Sequence, residues 1–172
     1  MLVGGKQYLS VWMEGRKVCM VDQTLLPFQF QIFESGSYLT TCEAIRKMVV
    51  RGAGALGAAA GYALAQAALE APIHNYSDFL LQARKEIEST RPTARNLFFA
   101  VERVYNASLS SREHAVEEAC RIADEDATAS EQIGVLGKTL IKNGSRIATH
   151  CNAGWLAFVD HGTALSPVYH GF

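Results

Sequence analysis

Along residues 8–33 apolar and polar positions alternate, and β-branched and aromatic residues are frequent. That pattern predicts half-buried strands over Tyr8–Met13, Lys17–Gln23 and Phe28–Phe33. A glycine-centred turn at Glu14-Gly15-Arg16 joins the first two as a hairpin, and the run after Pro27 completes a small antiparallel sheet. From about residue 40 the apolar positions take a helical period. Thr40 with Glu43 has the form of a capping box, and Cys42, Ile45, Met48 and Val49 then share one face. A helix of small residues is expected from near Gly54, another over Ser77–Glu88, and a third over Thr93–Tyr105 opened by Pro92. Ser110 with Glu113 starts a long amphipathic stretch that runs to a stop at Asn143-Gly144. Arg146–His150 reads as a short buried strand, Cys151–Gly154 as a loop, and Trp155–Leu165 as the next helix.

The order predicts an α+β chain leading into α/β. A small antiparallel sheet and a helical domain occupy residues 1–143. Residues 144–172 begin a Rossmann-like catalytic domain with one strand–loop–helix unit, incomplete because a lone parallel-type strand has nothing to pair with. The stretch Ala53–Ala71 is apolar but carries Gln66 and Glu70, so it reads as a packed buried helix, not a membrane span. No internal repeat or low-complexity segment interrupts the chain.

Composition narrows the function. Hydrophobic residues make up 49% of the 172 and charged residues 19%, enough for a packed core. The net charge of −1, from 16 basic and 17 acidic residues without a basic run, argues against a nucleic-acid surface. The N-terminus has no basic leader before an apolar core, so no secretory signal is expected. Cys19, Cys42, Cys120 and Cys151 are far apart in sequence, which favours reduced thiols in a cytoplasmic protein over a disulfide scaffold. The five histidines (His74, His114, His150, His161 and His170) lack the spacing of a zinc site, and no metal is expected.

Three short segments carry chemistry. Gly52, Gly54 and Gly57 have the spacing of a dinucleotide loop. However, a helix cap and not a strand precedes them, and Asp78, at the right distance, begins a helix. The glycines serve close helix packing, while Arg51 beside a glycine-rich helix start makes an anion site. Arg91, ahead of Pro92-Thr93, is either a second phosphate ligand or a solvated loop arginine. Cys151 stands at the expected carboxyl end of the strand, facing a helix N-terminus, where open α/β sheets place their ligands. A helix N-terminus favours a thiolate, so the position suits a thiol that gives and takes a proton. The alternative is a buried structural cysteine.

Four blocks in order, VDQTLLP (21–27), AIRKMVVRGAGALGAAAGYALA (44–65), RPTARNLFFAVERV (91–104) and IATHCNAGWLAFVDHGTAL (147–165), resemble methylthioribose-1-phosphate isomerases, relatives of the initiation factor 2B α, β and δ subunits. The resemblance implies conversion of an aldose 1-phosphate to the ketose 1-phosphate in methionine salvage, without a cofactor. It implies Cys151 as the catalytic thiol and Arg51, Gly52, Ala53, Arg91 and Asn152 as substrate contacts. It also implies a homodimer that acts on a small sugar phosphate and binds neither nucleic acid nor membrane. The family usually has proline where Gly54 stands, which is expected to loosen the loop after Arg51. Family members are roughly twice as long, with an aspartate partner acid in the later half. The chain alone is therefore expected to be inactive and to need that half or a complementary chain. The alternatives are a ribose-1,5-bisphosphate isomerase and a non-catalytic regulatory subunit like those of initiation factor 2B.

Overall fold

The computed structural model describes residues 1–171. β1 (Leu2–Val3) and β2 (Lys6–Gln7) form a short hairpin not foreseen from the pattern. β3 (Val11–Glu14), β4 (Lys17–Val21) and β5 (Ile32–Ser35) form an antiparallel sheet in the order β3-β4-β5, as the alternation predicted. β4 is central, and Val18, Cys19, Met20 and Val21 are all buried. The sheet lies against the helical body through Val11, Val18 and Met20, which join its core.

That body is organised around α2 (Ala53–Glu70), buried from Gly54 to Ala68. It packs against α1 (Tyr38–Arg46), α3 (Tyr76–Thr90), α4 (Arg95–Ser108) and α5 (Arg112–Gly137). Small side chains let four helices approach one axis. A Cβ at Gly57 would stand 3.2 Å from the Asn96 carbonyl oxygen, and one at Gly61 would stand 3.6 Å from Val104 Cγ2, so α4 crosses on these two glycines. The polar residue in this helix has its partners: Gln66 donates to the carbonyls of Arg16 and Ser35 and accepts from Thr41 Oγ1.

Local chemistry moves several expected boundaries. Ser37, not Thr40, caps α1: its backbone is extended, and its Oγ accepts from the Thr40 N–H at 3.3 Å. Ser111, one residue after the expected Ser110, caps α5 through the His114 N–H. Pro92 lies in a turn closed by Ala94 N–H to Arg91 carbonyl at 3.0 Å, so α4 begins only at Arg95. α5 stops at Gly137 and gives way to a 3-10 turn at Lys138–Leu140, before Asn143-Gly144.

The largest departure concerns residues 141–165. Arg146–His150 is not a buried strand: every residue there is exposed and irregular. Among the described residues no strand lies alongside it, and a strand without a ladder partner is not stable. The expected helix Trp155–Leu165 is also absent. It is replaced by a 3-10 turn at Trp155–Ala157, and the last helix is α6, Ser166–Gly171. The backbone between them bonds in part to the body, without a run of helical bonds, and His161 and Gly162 both take positive φ, which ends any helical run.

Segment 156–160 is held at many points. Gln23 Nε2 donates to the Leu156 carbonyl at 2.7 Å, and Ser10 N–H donates to the Val159 carbonyl at 2.9 Å. Ser10 Oγ bonds to the Phe158 carbonyl. Val159 N–H donates to Asp126 Oδ2 at 2.7 Å, and the Met1 amine pairs with Asp160 at 2.9 Å. The Cα of Gly52 lies flush on Ala157.

Two outcomes follow from these contacts. Gly52 has φ 96, and a Cβ there would overlap Ala157. Gly52→Ala therefore costs about 1–3 kcal/mol from the backbone alone, readable as a lowered urea midpoint. Burial pushes the Asp126 carboxyl above its ordinary value of 3.8, against the opposing bond from Val159 N–H. Its stabilising contribution is therefore full below the unfolded-state value and is lost as pH rises through the raised folded value. Asp126→Asn keeps an acceptor for Val159 but does not titrate. Wild type should thus lose ground to the variant between about pH 3.5 and about pH 7. Denaturation midpoints at the two pH values measure this, and a pH-independent gap contradicts it.

Candidate functional site

Arg51 reaches the surface just after two residues that turn inward. Val49 and Val50 are buried, and Val49 is bonded on both sides, by its N–H to the Ala44 carbonyl and by its carbonyl from Gln23 N–H. Its neighbour Met48 takes φ 61 to make the bend. The Arg51 guanidinium donates from Nη2 to the Gln23 carbonyl at 2.9 Å. That acceptor is neutral, and among the described residues no carboxylate pairs with Arg51. A guanidinium has five N–H donors, so four remain for an anion.

Gly52 is the N-cap of α2 and supplies no side-chain hydrogen bond, so the first amides of an 18-residue helix are uncapped. Uncapped amides at the positive end of a helix dipole favour an anion. Ala53 is the first helical residue and is exposed. Gly54 does not loosen this region. Its Cα packs against Asp126 and Phe158 with no room for a Cβ, so the helix start is tightly held.

Arg91 follows α3 and is half-buried, also without a carboxylate partner among the described residues. The chain after it enters α4, whose Asn96 packs on Gly57, one turn inside α2. Arg91 therefore belongs to the end of the body where α2 begins. Between α2, α4 and α5 a cleft of about 220 Å³ opens, with Gly54, Asn96 and Asp126 on its walls. Arg103 also lines it, but its guanidinium is taken by Glu118 at 2.6 Å and by Glu125 at 2.5 and 3.1 Å. It is not free for a ligand.

Cys151 is exposed, not buried, and has φ 63. The other cysteines differ. Burial raises the Cys19 and Cys120 thiols and pushes Cys42 up to about 12. Cys151 is the most exposed thiol of the four: Cys19 and Cys42 are buried and Cys120 is half-buried. The helix N-terminus expected to face it is absent, because only a three-residue turn follows the loop. Asn152 is exposed, and its Oδ1 accepts from Gly154 N–H at 3.4 Å, closing the loop on itself.

Arg51, Gly52 and Ala53 are thus together at the start of α2. The segment after Cys151 is seated beside them through Gln23–Leu156 and Gly52–Ala157. Among the described residues no hydrogen bond or ion pair joins Cys151 itself to Arg51 or Arg91. The loop is anchored on its downstream side and open on its upstream side. Gln23 and Asp126 were not foreseen as parts of this assembly. Asp126 had a signal: it falls on the buried stripe Ala119, Ile122, Ala123, Ser130 of α5, where a carboxylate is out of place. Gln23 had none beyond a polar residue at the end of a strand run.

Comparison with known proteins places the chain in a family. Residues 49–170 match the model described as the initiation factor 2 subunit family. The chain is 41% identical over 160 residues to the methylthioribose-1-phosphate isomerase of Acetivibrio thermocellus, covering 87% of this chain and 47% of that protein. It is 42% identical over 164 residues to a putative methylthioribose-1-phosphate isomerase of Methanosarcina acetivorans, covering 90% and 47%. The fold is similar to the 5-methylthioribose 1-phosphate isomerase of Pyrococcus horikoshii OT3, with TM-score 0.86 and 34% identity over 96% of this chain and 50% of that one. It is similar also to translation initiation factor eIF-2B, subunit delta, from A. fulgidus, with TM-score 0.85 and 37% identity over 96% and 51%. The chain spans about half the length of the curated relatives it matches. With that family match running through both the Arg51 and the Cys151 segments, the chain belongs to the initiation factor 2 subunit family.

Proposed function

We propose that this chain is the N-terminal half of a methylthioribose-1-phosphate isomerase, an aldose–ketose isomerase of methionine salvage in the cytoplasm. One observation carries the reading: an unpaired arginine, held by a neutral carbonyl, stands at an uncapped helix start beside the segment that follows the exposed Cys151. The phosphate of the substrate sits on Arg51 and the amides of Gly52 and Ala53, with Arg91 and Asn152 as further contacts. The ring bond to C1 opens, one hydrogen moves from C2 to C1, and C2 becomes the carbonyl. The reaction is redox-neutral, so no cofactor is required. Cys151 is the group that gives and takes the proton.

The rest of the site comes from the half that this chain does not span. Residues 144–172 are then the entry to a Rossmann-like domain, and 146–150 becomes a strand once a ladder partner is supplied. Two observations support this. The 143–152 segment is exposed and irregular, and α5 ends with Ile133 and Leu136 exposed on one face, Leu136 at 76%, followed by Leu140, 78% exposed, in the 3-10 turn. Positions spaced by three and four share one helix face. The assembled isomerase is a homodimer in the same reading. The similarity to an initiation-factor subunit favours a second reading, a non-catalytic regulatory subunit. Turnover separates the two.

Co-expression with a polypeptide carrying the second half should restore conversion of methylthioribose 1-phosphate, while the chain alone stays inactive. In that pair Arg51→Ala should lower kcat/KM by about 10- to 100-fold, the worth of a charged hydrogen bond. Cys151→Ser should lower kcat by at least about 100-fold. No turnover by the pair, or full turnover by the Ser variant, defeats the assignment. Leu136→Asp should abolish co-elution of the two halves on size exclusion while leaving the helical circular dichroism of this chain intact; unchanged co-elution counts against that exposed face.

A further inference from the structure

We infer that Gln23 is a positioning residue, one that keeps the Arg51 guanidinium and the loop around Cys151 at a fixed separation. The inference rests on the isomerase reading above. Gln23 is 2% exposed and stands where the chain leaves β4. Three bonds radiate from it to three parts of the molecule. Its N–H donates to the Val49 carbonyl at 2.9 Å, fixing the linker that presents Arg51. Its carbonyl receives Arg51 Nη2 at 2.9 Å, fixing the guanidinium itself. Its side-chain Nε2 donates to the Leu156 carbonyl at 2.7 Å, fixing the turn five residues beyond Cys151. The partner at Leu156 is a carbonyl, so the amide nitrogen faces it and the orientation of the side chain is settled.

Gln23 is bonded to the buried Val49 and lies two residues after the buried Val21, and a methionine matches the length of its side chain. The amide is needed only to reach Leu156. Gln23 is thus the one described residue bonded both to Arg51 and to the segment that follows Cys151. In the proposed reaction the phosphate and the reacting carbons belong to one small molecule, so the spacing between their protein partners governs rate. A misplacement of about 1 Å costs on the order of 100-fold.

The test uses two variants that leave the Gln23 carbonyl, and hence the hold on Arg51, in place. Gln23→Met matches the length but lacks the donor. Gln23→Glu matches the shape and presents a carboxylate to Leu156 at neutral pH; once protonated, its O–H donates again. In the two-chain isomerase, Gln23→Met should lower kcat by roughly 10- to 100-fold with KM changed by less than about threefold, because ground-state phosphate binding survives. Gln23→Glu should be equally slow at neutral pH and should recover relative to wild type as pH falls. Unchanged kcat, or a Gln23→Glu profile parallel to that of wild type, overturns the inference.

If the wild-type pair itself shows no turnover, the isomerase reading fails and the positioning claim is read from this chain alone. Alkylation of Cys151 by a bulky maleimide then reports the loop. The rate should rise severalfold in Gln23→Met, at unchanged circular dichroism, when the Leu156 anchor is lost. Equal rates in the two proteins overturn it.

Discussion

The structure depends on one steric constraint: α2 is buried on all sides, so its residues must be small enough for four helices to reach its axis. Alanine and glycine satisfy that condition, and they also set the distance at which everything else packs. Where the helix begins, the same economy of side chain admits another part of the chain. Gly52 lets Ala157 approach its backbone, and Gly54 leaves space for Asp126 and Phe158. A helix start that would otherwise be covered by a capping side chain is instead bounded by Ala157, the Phe158 ring and one carboxylate. Tight packing and the open amide end thus have the same origin.

The site is an assembly of remote pieces around this end. Gln23 and Leu156 are 133 positions apart, and Asp126 and Val159 are 33 apart. Each bond spends a buried polar group to hold the 156–160 segment, and in return the segment forgoes the internal hydrogen bonds of a helix. The loop carrying Cys151 is therefore stiff at one margin and unsupported at the other. That asymmetry separates its two halves into a finished face and an unfinished one.

Much of the fold was legible in the sequence because it is governed by local rules. The alternation between Val11 and Ile32 gave the sheet, and the run of small residues after Arg51 gave the buried helix. The caps lie three residues from the expected position at Ser37 and one at Ser111, where several hydroxyls compete and backbone geometry decides. The misjudged part, Arg146–Leu165, is the part whose conformation depends on distant partners. A strand pattern at Arg146–His150 describes a preference, and a ladder must exist to realise it. Trp155–Leu165 has helical periodicity, yet its backbone is claimed by Ser10, Gln23 and Asp126. At the candidate site, the residue types at Arg51, Arg91 and Cys151 were readable, while Gln23 and its three bonds were not. A carbonyl acceptor leaves no trace in side-chain identity.

α5 has a mechanical consequence. It is 26 residues long, about 39 Å at the usual rise; its near half lies in the core, and its far end is packed by α6 at Gly134 and Gly137. Asp126 lies between the two and grips the Val159 amide. A helix of this length behaves as a stiff lever with its fulcrum in the alanine-rich core. Tilt imposed at Leu136 is felt at Asp126, and through it in the chain leading back to Cys151. Anything that bound the end of α5 and tilted it would be linked to order at the thiol loop by one coupling free energy, acting equally in both directions.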